Sequence, residues 1–174
     1  MSESSRIDEL FEAARLGDAE RLKAMLAADP GLAGAENRDG LTPLGFAAHY
    51  GQAAAVEALL AAGADVNEVS HSRVAYIPSN TALHAAMAGE RSMEVIRLLL
   101  DNGARTDIPD SSGQTCLHSA AYHMDSKELI SLIIKRGADV NKRDTNGETA
   151  LGLARKQGHA EAAAALEAAG ALES

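Results

Sequence analysis

Six histidines and a single cysteine are the side chains of this 174-residue chain best suited to hold a metal or act as a nucleophile. A helical zinc site needs two histidines one turn apart, at i and i+4, or cysteines paired closely in sequence. His49, His71, His84, His118, His123 and His159 offer no such spacing, and Cys116 stands alone. Cys116 does follow a helix-capping residue, Thr115, and the dipole at the first turn of a helix can activate a thiol. No G-x-S-x-G elbow, G-x-x-x-x-G-K-[ST] phosphate loop or G-x-G-x-x-G fingerprint occurs. The pattern points away from an enzyme and implies no cofactor and no metal. A weaker reading, as a small-ligand or metal binder, would rest on His49 and His123.

The elements that position these residues repeat. GLTPLGFAA (Gly40 to Ala48), NTALHAA (Asn80 to Ala86), GQTCLHSAA (Gly113 to Ala121) and GETALGLA (Gly147 to Ala154) place threonines at 42, 81, 115 and 149, in steps of 39, 34 and 34 residues. A period of this size marks a solenoid, in which each unit contacts mainly its neighbours. Threonine is a good N-cap, and Pro43 suits the first helical position, so a short helix is expected after each threonine. Its buried stripe is Leu44, Ala47 and Ala48, matched by Leu83, Ala85 and Ala86, then by Leu117, Ala120 and Ala121. Gly51 and Gly89 separate it from a second helix with Val56, Leu59 and Leu60, then Val95, Ile96, Leu99 and Leu100, then Leu129, Ile130, Ile133 and Ile134 on its core face. Gly63, Gly103 and Gly137 stand where left-handed helix ends belong. Asp110 to Gly113 and Asp144 to Gly147 supply tight turns into the next threonine.

These units resemble ankyrin repeats, whose signature is T-P-L-H-x-A on about 33 residues. The resemblance covers nearly the whole chain, in a style similar to short bacterial members, and implies an all-α ankyrin-repeat solenoid of stacked helix-turn-helix units joined by β-turn or hairpin fingers. Proline survives only at Pro43, and the motif histidine at His84 and His118, with Gly45 and Gly152 in its place elsewhere. By resemblance, His84 and His118 hydrogen-bond between neighbouring turns, and Cys116 replaces a proline tucked beneath a turn, which implies a buried, inert thiol. The chain divides as a single domain, 1–174: an N-terminal capping unit (1–37, with Asp8 at the N-cap position of Thr42), repeat 1 (38–69), repeat 2 (70–109), repeat 3 (110–143) and a C-terminal capping repeat (144–174). Glu167 falls where earlier units have Leu60, Leu100 and Ile134, so no further unit is expected to stack on it.

The family binds proteins on a concave surface made from turn tips and first helices. Carried over residue by residue, that surface comprises Arg38, Asp39, Leu41, His49 and Tyr50; Ile77, Asn80, Met87 and Ala88; Ser111, Gln114, Tyr122 and His123; and Thr145, Glu148, Lys156 and Gln157, with Tyr76 in the adjacent insertion. The 39-residue step places an insertion of about six residues, relative to the family period, within Ser70 to Asn80 (SHSRVAYIPSN). Its Val74, Tyr76 and Ile77 either fold back onto neighbouring turns, which Pro78 favours by stiffening the finger, or project towards a partner. The expected function is non-catalytic binding of a partner protein, with a regulatory or effector role on a partner enzyme as the alternative.

The formal net charge of −9 disfavours nucleic acid and anionic membranes as partners. Residues 1–69 carry −7 (twelve acids, five bases), 70–143 carry +1 (eight, nine) and 144–174 carry −3 (five, two). One cysteine allows no internal disulfide, and neither a signal peptide nor an apolar run of membrane-spanning length is present. A cytoplasmic protein, monomeric on its own, is the expectation.

Overall fold

The computed structural model describes residues 3–90 and 92–172, and their regular structure is helical. The chain divides into two compact units, Met1–Ala104 and Arg105–Ser174. The first contains α1 (Glu3–Leu16), α2 (Ala19–Ala28), a 3-10 turn (Pro30–Gly34), α3 (Pro43–His49), α4 (Ala53–Ala61), α5 (Ala82–Ala88) and α6 (Met93–Asp101). The second contains α7 (Cys116–His123), α8 (Lys127–Lys135), α9 (Ala150–Gln157) and α10 (Ala160–Ala168). In the first unit α3 packs between α1 and α5, and α4 between α2 and α6; in the second, α7 packs on α9 and α8 on α10. Within each unit the core is therefore a layer of mostly leucine, isoleucine, valine and alanine between its first and second helices. An isolated bridge between Arg143 and Thr149 is the pairing that closes one turn.

Each threonine caps its helix, in one of two ways set by the residue three positions on. Where that residue is glycine, the hydroxyl accepts the free N–H: Thr42 Oγ1 from Gly45 and Thr149 Oγ1 from Gly152, both at 3.1 Å. Where it is histidine, the hydroxyl faces the ring instead: Thr81 Oγ1 lies 2.9 Å from His84 Nδ1, and Thr115 Oγ1 2.9 Å from His118 Nδ1. The Thr115 backbone N–H also points at His118 Nδ1 (3.1 Å), so that nitrogen is the acceptor, and Nε2–H is left to donate to the Glu148 carbonyl at 3.2 Å. His118 thus joins one repeat to the turn of the next. Loss of the histidine at Gly45 and Gly152 costs this link but not the cap.

Further polar links run between repeats. Asp18, Ser92 and Ser126 cap α2, α6 and α8 through their own side chains. At α4 and α10 the capping residue reaches backwards: Gln52 Nε2 donates to the Arg15 carbonyl (3.0 Å) and His159 Nδ1 to that of Ala121 (2.9 Å). Asn67 and Asn141, in the two GADVN segments, donate to the carbonyls of Gly103 and Gly170 at 3.1 and 3.3 Å. Among the described residues every buried side-chain polar atom has a hydrogen-bond partner, as burial requires.

Three expectations need correction. Asp8 is not an N-cap, because α1 spans Glu3–Leu16 and runs through it: the stretch before Asp8 holds helix formers and no proline or glycine that would stop the helix there. The Asp8 carboxylate pairs instead with Arg38, at 3.4 Å. Ala85 is only half-buried and Met87 is fully buried, so Met87 belongs to the core and offers no side chain to a partner. Counted from the capping threonine, Met87 matches Ala48 and Ala121, both fully buried. Aligning on the paired alanines slips repeat 2 by one residue, and the correct match to exposed His49 is exposed Ala88.

Gly89 separates α5 from α6 for a steric reason. A Cβ there would lie 1.9 Å from the His49 carbonyl oxygen, which accepts from the Glu90 N–H at 2.8 Å. Gly89→Ala is therefore expected to destabilise the protein more than Gly34→Ala, where nothing lies within 4 Å. Leu99, fully buried in α6, should cost about 2–5 kcal/mol when changed to alanine. Chemical denaturation of the three variants checks both statements, and a Leu99→Ala loss of under about 0.5 kcal/mol, typical of a surface site, would contradict the helix register.

Candidate functional site

Three turns share one construction. Asn37, Asp110 and Asp144 each use a side-chain oxygen to accept two backbone N–H groups: those of Asp39 and Leu41, of Ser112 and Gln114, and of Asn146 and Glu148, at 2.8–3.0 Å. The backbone N–H of each opening residue closes the turn on the carbonyl of Leu41, Gln114 or Glu148. In repeat 2 the same closing bond joins Ser70 N–H to the Asn80 carbonyl at 2.9 Å, and Ser70 Oγ accepts from Asn80 N–H at 3.1 Å. The finger is thus an expanded turn: six extra residues held in the frame that encloses three elsewhere.

Its backbone folds back on repeat 1. His71 N–H donates to the Gly40 carbonyl and Arg73 N–H to that of Asp39, both at 2.9 Å. A Cβ on Gly40 would sit 2.0 Å from the His71 carbonyl oxygen, so this approach needs glycine. The Glu36 carboxylate pairs with His71 and with Arg73, whose guanidinium also reaches the Arg38 carbonyl. Inside the finger Ile77 N–H bonds the Val74 carbonyl, and Ser79 Oγ accepts from Ser72 N–H. Val74 and Ile77 are half-buried, whereas Tyr76 is 85% exposed.

Elsewhere in the first unit Arg38 and His49 are exposed, and Leu41 and Asn80 are half-buried. Tyr50 is half-buried in an edge-to-face aromatic row, its ring 5.0 Å from Phe46 and 5.2 Å from His49, with Phe46 5.2 Å from Phe11. Its contribution is partly packing.

In the second unit Tyr122 is 44% exposed and stands edge-on to His123 at 4.9 Å. Ser111 is exposed. Gln114 and Thr145 are occupied in joining turns: Gln114 Nε2 donates to Asp144 Oδ2 (3.0 Å), and Thr145 Oγ1 to the Ser112 carbonyl (2.7 Å). The Glu148 carboxylate pairs with Lys156. Sequence reasoning missed the roles of Asn67 and Asn141, although their recurrence in two GADVN segments was the available signal.

Cys116 is buried, its Sγ 3.6 Å from the Thr106 carbonyl oxygen, and burial pushes the thiol up to about 12. A thiol so placed is not a nucleophile at neutral pH. Among the described residues no three His, Cys, Asp or Glu side chains are grouped to hold a metal, and no helix is long and apolar enough to cross a membrane.

Asp144 is buried, which on its own would raise its pKa. The hydrogen bonds from Gln114 and from the Glu148 and Asn146 N–H groups outweigh burial and hold it below the ordinary 3.8. A carboxylate with a depressed folded pKa stabilises the fold above the ordinary range and loses that contribution as pH falls through its folded value. Asp144→Ala, which strands three donors, is expected to cost about 1–3 kcal/mol at neutral pH. The advantage of the native chain over Asp144→Asn should shrink as pH falls below the ordinary aspartate range. Unfolding curves across pH check this, and an advantage independent of pH would contradict the assigned charge.

Comparison with known proteins places this architecture. A family model described as "Ankyrin repeats (3 copies)" matches residues 70–144, and one described as "Ankyrin repeat" matches residues 39–71. Inversin of Mus musculus is 36% identical over 101 residues, which cover 58% of this chain and 9% of inversin. The chain thus spans less than a tenth of that relative.

Proposed function

We propose that this chain, a member of the ankyrin-repeat family, is a non-catalytic module that binds a partner protein through its turn tips and the exposed ends of its first helices. Repeats of this family are protein-interaction modules, and the side chains here match that use. The observation that carries the reading is Tyr76: a large aromatic, 85% exposed, on a finger whose backbone is tied to repeat 1 and to itself. Exposing a tyrosine gains the fold nothing, whereas on a pre-organised support it can bury apolar area against a partner at little cost in entropy. Arg38, His49, Ile77 and Asn80 surround the role in the first unit. In the second unit Tyr122, His123 and Ser111 are the accessible counterparts, with Thr145 and Glu148 at the tip. Tyr50 and Leu41 serve both packing and contact.

The test begins with affinity capture from the source organism and mass spectrometry to identify the partner. Tyr76→Ala and Tyr122→Ala are then expected to weaken its binding by about 1–4 kcal/mol, as hot-spot truncations do, with a smaller change in unfolding free energy. Glu57→Ala, at an exposed site on α4, should leave affinity unchanged. If the tyrosine variants bind normally while Glu57→Ala does not, the site lies on the second helices.

A further inference from the structure

We propose that residues 105–109, which follow α6 and lead into repeat 3, form a strap that lifts from the end of α8 and from Cys116 while the helices around it stay folded. This local motion is independent of where a partner docks.

The equivalent segments of repeats 1 and 3 are fastened in three ways. The Asp65 and Asp139 carboxylates accept the N–H groups of Asn67 and Asn141, both at 2.9 Å. A backbone bond closes each turn, from Glu68 N–H to the Asp65 carbonyl at 3.2 Å and from Lys142 N–H to that of Asp139 at 3.4 Å. The asparagine amides then donate to the Gly103 and Gly170 carbonyls of the following repeats, and Asn141 Oδ1 accepts from Leu172 N–H at 2.8 Å.

Repeat 2 departs from all three. Counted from Gly63, Gly103 and Gly137, the aspartate is replaced by Arg105 and the asparagine by Asp107. A guanidinium has no acceptor, and a carboxylate has no proton to give the Gly137 carbonyl. The hydrogen bond from Arg105 holds the Asp107 carboxyl below its ordinary 3.8, so it stays ionised. Among the described residues the chain bends at Thr106–Asp107 without the turn bond formed at Val66–Asn67 and Val140–Asn141. The Arg105–Asp107 pair found there, at 2.7 Å, has both side chains more than half exposed and so contributes little. Thr106 is buried where Val66 and Val140 are half-buried, and its hydroxyl reaches the Arg136 carbonyl only at 3.4 Å, beyond the usual O–H···O distance.

Cys116 lies beneath this strap. Its Sγ donates to the Thr106 carbonyl at 3.6 Å and the thiol is buried, so lifting Thr106 opens a path to it. The neighbouring helices keep their own fastenings: Thr115 with His118 at the start of α7, Ser126 at the start of α8, and His118 Nε2 on the Glu148 carbonyl. Opening therefore breaks the weak contacts of the strap and leaves these in place, as a local rather than global event.

The test reads Cys116, the sole cysteine, through its reaction with dithiobis-nitrobenzoate in the folded full chain. Labelling is expected to depend less steeply on denaturant than global unfolding does. Arg105→Asp/Asp107→Asn, which restores the pattern of the flanking repeats, should slow it about tenfold, as regaining one or two ordinary hydrogen bonds does. The converse exchange in repeat 1, Asp65→Arg/Asn67→Asp, should leave it within about twofold, as a distant site does. Should either variant fail to fold, hydrogen exchange in the native chain decides: amides of 105–108 should exchange faster than those of 65–68 and 139–142. The proposal is overturned by labelling that tracks global unfolding, by an unchanged rate in the restored variant, by equal acceleration from the repeat 1 variant, or by equal protection of the three segments.

Discussion

A side-chain oxygen that accepts the first backbone N–H groups of each turn is the constraint on which the presented surface depends. Asn37, Asp110 and Asp144 do this directly, and each stands five residues before its capping threonine. Ser70 takes the position in repeat 2, eleven residues before Thr81, and its closing bond to Asn80 is unchanged by what lies between. The insertion is tolerated because the bond that matters spans it. Extra residues then leave the frame as a finger without moving the helix that follows. Were the turn held only by its internal sequence, six added residues would displace Thr81 and uncap α5.

Satisfying the frame also decides which candidate contacts remain available. Gln114, Thr145 and the Glu148 carbonyl are partners of Asp144, Ser112 and His118, so their first commitment is to cohesion within the second unit. Tyr76 and Tyr122 have no comparable task for their exposed area. The division follows from burial: a polar group in a tight turn must find a partner or cost the fold, whereas an exposed aromatic rim is free to be used.

The sequence made the helix pairs legible because threonine caps, apolar spacing and glycine ends act locally and recur. It made the finger legible as a departure from period. What it concealed were facts depending on neighbours or on register. Met87 was misplaced by one residue because the paired alanines of repeat 2 begin one position earlier than in the flanking repeats, and only the threonine gives the register. Gly89 looks like a turn residue but is fixed by the His49 carbonyl forty residues earlier in the chain. The reach of Asn67, Asn141 and His159 into adjacent repeats is invisible to any pattern confined to one repeat. Asp8 matches a capping threonine only by alignment, and no breaker before it ends the helix that runs through it from Glu3.

Geometry repeats in this chain while chemistry does not, and that difference separates folding from function. Seven residues after each threonine stand His49, Ala88, Tyr122 and Lys156, all exposed. One position earlier stand Ala48, Met87, Ala121 and Arg155, of which the first three are fully buried and apolar. Burial restricts the earlier position to side chains that pack. Exposure leaves the later one open to an imidazole, a methyl, a phenol and an ammonium on the same backbone. The exception is Arg155, which is exposed and pairs with Glu167 at 2.7 Å. A surface whose spacing is fixed by the core, but whose side chains the core does not choose, is what recognition of a particular protein partner requires.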